Sequence, residues 1–169
     1  PTEPLATTTF SNNSATSFEY IIEKFLRDTN SRPDHACFGV AGPVSNNRVK
    51  LTNLDWTIDG PALQQRFGMQ SVVLINDLVA TALGAMHLQT GGLLTINEGQ
   101  PDPVGAIGVI APGAGLGEAF LVNHRGKRLP SPSEGGHSSF APTDELQIRL
   151  LRFLSKQHHH VSTEMVCSG

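Results

Sequence analysis

The stretch Ser71-VVLIND-LVATALGAMHL (71–88) decides the fold class. Its opening SVVLI is apolar, β-branched, too short for a helix and bounded by Gly68 and Asn76, so it reads as a central strand. From Asp77 the pattern changes directly to Leu, Ala and Met in a helical run. A strand that runs straight into a helix is the building unit of an α/β fold with a parallel sheet. Open sheets of that kind place ligands at the carboxyl ends of their strands, which puts Asn76 and Asp77 where chemistry is expected.

Working upstream, Thr16-x-x-Glu19 has the form of a capping box, and Phe18, Ile21, Ile22, Phe25 and Leu26 follow at helical spacing. HACFGV (35–40) reads as a buried strand stopped by Gly42-Pro43, and RVKL (48–51) as a second short one. Asp59 and Pro61 start a helix that Gly68 ends. Downstream, residues 89–103 turn to Gly, Gln, Pro and Asn and mark a boundary between lobes. Strands resume at 104–110 and 118–123, with a turn over His124–Lys127 and a short strand near Arg128. Thr143 to Gln157 reads as a helix with Leu146, Leu150, Phe153 and Leu154 on one face. The expected organisation is one α/β lobe over 1–88, a linker over 89–103 and the start of a second α/β lobe over 104–169.

Composition narrows the function classes. Twelve basic against fifteen acidic side chains leave a formal charge of −3 and no basic run, so the electrostatic footprint of a nucleic-acid binder is missing. No apolar run approaches the roughly 18 residues of a membrane helix, and PTEPLATTTF carries no secretory pattern, which points to a cytoplasmic protein. Cys37 and Cys167 form no C-x-x-C pair, so neither a zinc site nor a redox couple is expected.

Four places could carry chemistry, each with a plainer reading beside it. Asn76 or Asp77 could simply cap the helix that follows, and an Asp facing a cleft could also act as base toward a hydroxyl. Ser133-Glu-Gly-Gly-His137 sets a carboxylate and an imidazole around two glycines. It reads either as a solvated loop or as one that lets Glu134 and His137 approach a small polar ligand. His158–His160 reads as a solvated helix end rather than a metal site, and Ser162 after it as the cap of a short helix with Glu164 in its first turn. GAGLG (113–117) lies between two strands. It is a hairpin turn, or an anion nest if its N–H groups point outward. Neither the phosphate-loop pattern ending in Gly-Lys-Ser/Thr nor the G-x-G-x-x-G dinucleotide fingerprint is present.

In order along the chain, FGVAGPV (38–44), LTNLDWTID (51–59), LINDLVATALG (74–84), GAGLG, PSEGGHSSFAP (132–142) and HHHVSTEMVCSG (158–169) resemble the bacterial glucokinase family. The resemblance runs over essentially the whole chain. It implies an actin-like, ribonuclease H-like two-lobe ATPase fold, incomplete here, and transfer of phosphate from ATP, bound with Mg²⁺, to the 6-hydroxyl of glucose. By position it makes Asp77 the general base and Asn76, Glu134, His137 and Glu164 sugar ligands. Gly113, Ala114, Gly115 and Gly117 would hold the nucleotide phosphates. It implies no protein-held metal, and a homodimer stays open.

Two departures qualify those expectations. The family hairpin reads G-T-G-L-G, and Ala114 stands in place of the Thr whose hydroxyl would bond a phosphate. The family's D-x-G-G-T-N strand does not precede Pro1, and the chain stops at the Ser-Gly that opens the next helix. The expectation is therefore an internal or truncated segment, weak or inactive alone. The alternative is a non-catalytic sugar binder that kept the sugar ligands and lost the phosphate motifs.

Overall fold

In the computed structural model, residues 3–12, 15–51, 54–88 and 90–168 are described; Gln89, the first residue of the glycine-rich stretch, lies outside them. Helix α1 (Phe18–Thr29) is capped by Ser17 rather than Thr16: Ser17 is extended, and its hydroxyl accepts from the Tyr20 N–H at 3.2 Å. Asn30 closes the helix at φ 51. Strand β1 (His35–Val40) pairs in parallel with β4 (Ser71–Asn76), and between them lie the antiparallel pair β2 (Arg48–Lys50) and β3 (Thr57–Asp59) and helix α2 (Gly60–Phe67). Asp59 caps α2, accepting from Ala62 N–H, and this bond together with the Arg48 guanidinium holds the Asp59 carboxyl below its ordinary value.

The parallel register pairs Ala36 with Val72 and Phe38 with Leu74, so these four face the same side. There they join Ile22, Val40, Val49, Ile58, Leu63 and Met69 in one core, with Phe18 set edge-on to Phe38. The opposite face carries Cys37 and Val73, both exposed. The expectation of a buried β1 and a central β4 is thus corrected. Among the described residues this sheet has two strands, and its core lies on one face only.

One side chain ties this unit together. Ser45-Asn46-Asn47-Arg48 is a two-residue turn with φ 50 at Asn46 and φ 58 at Asn47, both left-handed. That conformation aims the Asn47 amide at β4, where it donates to the Val72 carbonyl at 2.8 Å and accepts from the Leu74 N–H at 2.7 Å. Asn47 thus occupies two hydrogen-bonding groups of β4 that a neighbouring strand would otherwise use. Gly60 lies directly against it, and a β-carbon there would collide with the Asn47 side chain.

The compact units are Pro1–Asp77 and Leu78–Gly169. The division therefore falls at Asp77, and residues 90–103 lie within the second unit. The reason is visible in helix α3 (Asp77–Ala85): Leu78, Ala82 and Leu83 pack with Val109, Ala119 and Leu121 of the second unit's sheet. That sheet is an antiparallel meander of β5 (Ile107–Pro112), β6 (Leu116–His124) and β7 (Lys127–Ser133). The β6–β7 turn uses Arg125 and Gly126 at φ 51 and 78, within the expected span. The Arg128 guanidinium donates to the carbonyls of Pro103 and Gly105, pinning the end of the glycine-rich stretch to β7.

Helix α4 (Glu145–Leu154) is shorter than the expected 143–157, because Asp144 caps it through the Gln147 N–H. Its stripe of Leu146, Leu150 and Phe153 is exposed rather than packed. The final helix, α5 (Thr163–Cys167), starts at the expected cap, Ser162. No helix of the described residues is long and apolar enough to cross a membrane.

Asn47→Ala should cost about 2–4 kcal/mol in urea unfolding, since it strands two β4 groups and leaves a β-carbon at positive φ. Asn46→Ala, which loses only the conformational preference, should cost about 1 kcal/mol. Equal effects would contradict a strand-bridging role for the Asn47 amide.

Candidate functional site

The glycine hairpin is the floor from which the second unit's polar cluster is built. Pro112 pairs with Leu116, leaving Gly113-Ala114-Gly115 as the loop, and the Gly113 N–H donates to the Gly115 carbonyl at 2.8 Å. None of the three glycines of GAGLG has a positive φ. Two of them are needed for close approach instead. A β-carbon at Gly115 would lie 2.7 Å from Glu164 Oε2, and one at Gly117 would lie 2.6 Å from the Leu78 side chain on α3. The N–H groups of Ala114 and Gly115 have no hydrogen-bond partner among the described residues.

Glu164 arrives at this hairpin from far along the chain. Ser139 bridges to Ser162, Phe140 N–H donates to the Val161 carbonyl and Thr163 N–H to the Ser138 carbonyl, so the segments after SEGGH and before α5 are clipped together. Val161 and Ser162 are buried at the clip. The Ser162 cap then starts α5 with Glu164 in its first turn. From there Oε2 accepts from the Leu116 N–H at 2.8 Å, and Oε1 lies 3.5 Å from His137 Nε2. His137 Nδ1 lies 3.0 Å from Glu134 Oε2.

Glu134, His137 and Glu164 therefore form a continuous line of carboxylate, imidazole and carboxylate beside the hairpin. Glu134 and His137 stay exposed, while Glu164 keeps only 29% of its side-chain surface. Such a line presents acceptors at both ends and a donor or acceptor between them, the set that suits a ligand with several hydroxyl groups. The loop that carries it, a 3₁₀ turn over Gly135–His137, also rests on β6: a β-carbon at Gly136 would run into the Leu116 carbonyl.

Asn76 and Asp77 lie in the first unit, at the end of β4 and the start of α3. The Asn76 amide donates to the Gly42 carbonyl at 3.4 Å, and Gly42 itself sits at φ 125. Asp77 occupies the first turn of α3, where a carboxylate is favoured by the helix dipole. His160 approaches the Ser139 hydroxyl at 3.2 Å, and no group of three or more His, Cys, Asp or Glu among the described residues is arranged to hold a metal ion.

Sequence reading missed Glu118. On β6 it faces Ser133 of β7 in register, and the Ser133 hydroxyl donates to Glu118 Oε2 at 3.2 Å. Only the strand register reveals it, and Pro130 and Pro132 disguise β7 as a loop in the sequence.

Residues 2–169 match the Glucokinase family model. A glucokinase of Nostoc punctiforme is 41% identical over 88% of this chain and 45% of its own. The crystal structure of a glucokinase from an Antarctic psychrotroph superimposes with a TM-score of 0.83 at 36% identity, covering 96% of this chain and 51% of that one. A glucokinase of Balamuthia mandrillaris, solved in complex with glucose, shares the fold with a TM-score of 0.66 at 22% identity, over 90% of this chain and 48% of its own. The chain thus spans about half the length of these relatives.

The packing of the SEGGH loop on β6 gives a direct test. Gly136→Ala should destabilise by about 2–3 kcal/mol, because the obstacle is a backbone carbonyl that cannot step aside. Gly113→Ala should change stability by less than about 1 kcal/mol, since its β-carbon would meet nothing nearer than 4.0 Å. Thermal or urea unfolding of the two variants separates these outcomes.

Proposed function

The chain belongs to the glucokinase family, and from that membership we propose that its residues serve ATP-dependent phosphorylation of glucose to glucose 6-phosphate. The observation that carries the reading is the meeting of Glu134, His137 and Glu164, drawn from two distant segments, at a hairpin with N–H groups to spare. Glucose is a ring of hydroxyls that each donate and accept. Two carboxylates with an imidazole between them can satisfy such groups, and a sugar lacking one hydroxyl would leave a carboxylate unpaired.

In the proposed reaction Asp77 accepts the proton of the 6-hydroxyl. That oxygen forms a bond to the terminal phosphorus of ATP while the bond from that phosphorus to the ADP oxygen breaks. Asn76, Glu134, His137 and Glu164 hold the sugar. Phosphoryl transfer asks a protein chiefly for positioning and charge neutralisation.

The hairpin suits the phosphates in part. The Ala114 and Gly115 N–H groups are donors, Gly113 leaves open space beside the loop, and Gly115 and Gly117 let Glu164 and Leu78 pack against it. The Leu116 N–H is already given to Glu164. Mg²⁺ would come bound to ATP and supply further neutralisation of charge. Ala114 offers a methyl group where a Thr hydroxyl would add another donor. This favours, as the second reading, a non-catalytic or truncated glucokinase-like sugar-binding protein.

Glucose titrated into the 169-residue chain, followed calorimetrically and by Trp56 fluorescence, tests the sugar half. Absence of binding at millimolar glucose would contradict it. In an enzyme of full family length carrying this segment, Asp77→Asn should lower kcat by about 10²–10⁴-fold while changing glucose affinity little, as expected for loss of a general base. In the same background Ala114→Thr should raise turnover or lower the KM for ATP. No gain in either would remove the hydroxyl argument.

A further inference from the structure

We infer that Glu118 is a positioning residue that sets the SEGGH loop through Ser133. Three observations meet at this point. The Ser133 hydroxyl donates to Glu118 Oε2 at 3.2 Å. The same hydroxyl oxygen accepts from the Gly135 N–H at 3.0 Å. The α-carbon of Gly135 lies so close to Glu118 that a β-carbon there would run into Oε2.

Each link has a physical consequence. A serine hydroxyl has one proton and two lone pairs and can rotate to suit either neighbour. With the Glu118 carboxylate taking the proton, the rotor is fixed and a lone pair of Ser133 is left for the Gly135 N–H. That bond spans only two residues and sits across Glu134, so it fixes the backbone from which the Glu134 carboxylate projects. It also leads directly into the 3₁₀ turn that ends in His137. Hydrogen bonds to a charged acceptor are the stronger kind, and this one lies partly buried at the last register pair of β6 and β7.

Glu118 need not touch a ligand to matter. It belongs to β6, the strand whose first residue, Leu116, is held by Glu164 and supports Gly136. The relay therefore references Glu134 and His137 to the same strand that references Glu164. Without it Ser133 could turn its proton elsewhere, the Gly135 bond would weaken, and the spacing of the line of three side chains would relax. The sugar-binding consequence rests on the family reading above; the relay itself does not.

The full chain and its Glu118→Ala, Glu118→Gln and Ser133→Ala variants are compared by amide hydrogen exchange and by calorimetric titration with glucose. Glu118→Ala is expected to speed exchange at Gly135 by about tenfold and to weaken glucose binding by about fivefold or more. Glu118→Gln, whose amide oxygen still accepts from Ser133, should keep both within about twofold of the parent. Adding Glu118→Ala to Ser133→Ala should do no further harm, because both act along one path. Unchanged Gly135 exchange in Glu118→Ala, or Glu118→Gln as damaging as Glu118→Ala, would overturn the inference. If the exchange effects hold while the parent chain takes up no glucose, the relay stands and the sugar reading of the loop falls.

Discussion

The hydrogen bond from the Leu116 backbone N–H to the Glu164 carboxylate is the constraint on which the second unit's polar cluster depends. A bond to an ionised acceptor in a partly buried place contributes about 1.5–3 kcal/mol, and leaving its donor unmet costs a comparable amount. It fixes one carboxylate oxygen on the hairpin and leaves the other beside His137. Through that single side chain, the loop proposed to meet nucleotide phosphate and the residues proposed to meet sugar share a mechanical reference. The bond also explains the glycine at position 115, which the backbone angles do not: only a residue without a β-carbon lets the carboxylate settle there.

The first unit rests on a comparable device. Asn47, held in the left-handed region by a tight turn, spends its amide on β4 just before the strand reaches Asn76 and Asp77. Two groups of the strand that delivers the proposed base are thereby satisfied by a side chain. Gly60, at the head of α2, leaves the room that this requires. In both units a glycine chosen for closeness rather than for conformational freedom lets a polar side chain reach a backbone edge.

Much of the local structure could be read from the residues. The strand-to-helix passage at 71–85, the Asp59 cap with Pro61 and Gly68 around α2, the His124–Lys127 turn and the Ser162 cap all follow from spacing and cap chemistry that act within a few residues. Errors arose where the decision lay farther away. Thr16 and Ser17 are both able caps, and only the backbone path selected Ser17. The apolar run of β4 has the composition of a fully covered strand, yet one of its faces holds the exposed Val73. The assignment of α3 to a unit likewise rests on contacts distant in sequence, those of Ala82 with Ala119 and Leu121.

For the candidate site the sequence by itself determined the residue types and their order: Asn76-Asp77 after a strand, SEGGH, and a Ser162 cap placing Glu164 in a first turn. Such features are set by short-range backbone sterics and hydrogen bonds. Only the tertiary structure decided that Glu164 lies beside His137 and on the Leu116 N–H, and that Glu118 stands behind Ser133. Those juxtapositions depend on strand register and on the bridge between Ser139 and Ser162, which join residues distant along the chain. Register is a property of two strands at once, so no single stretch of sequence contains it.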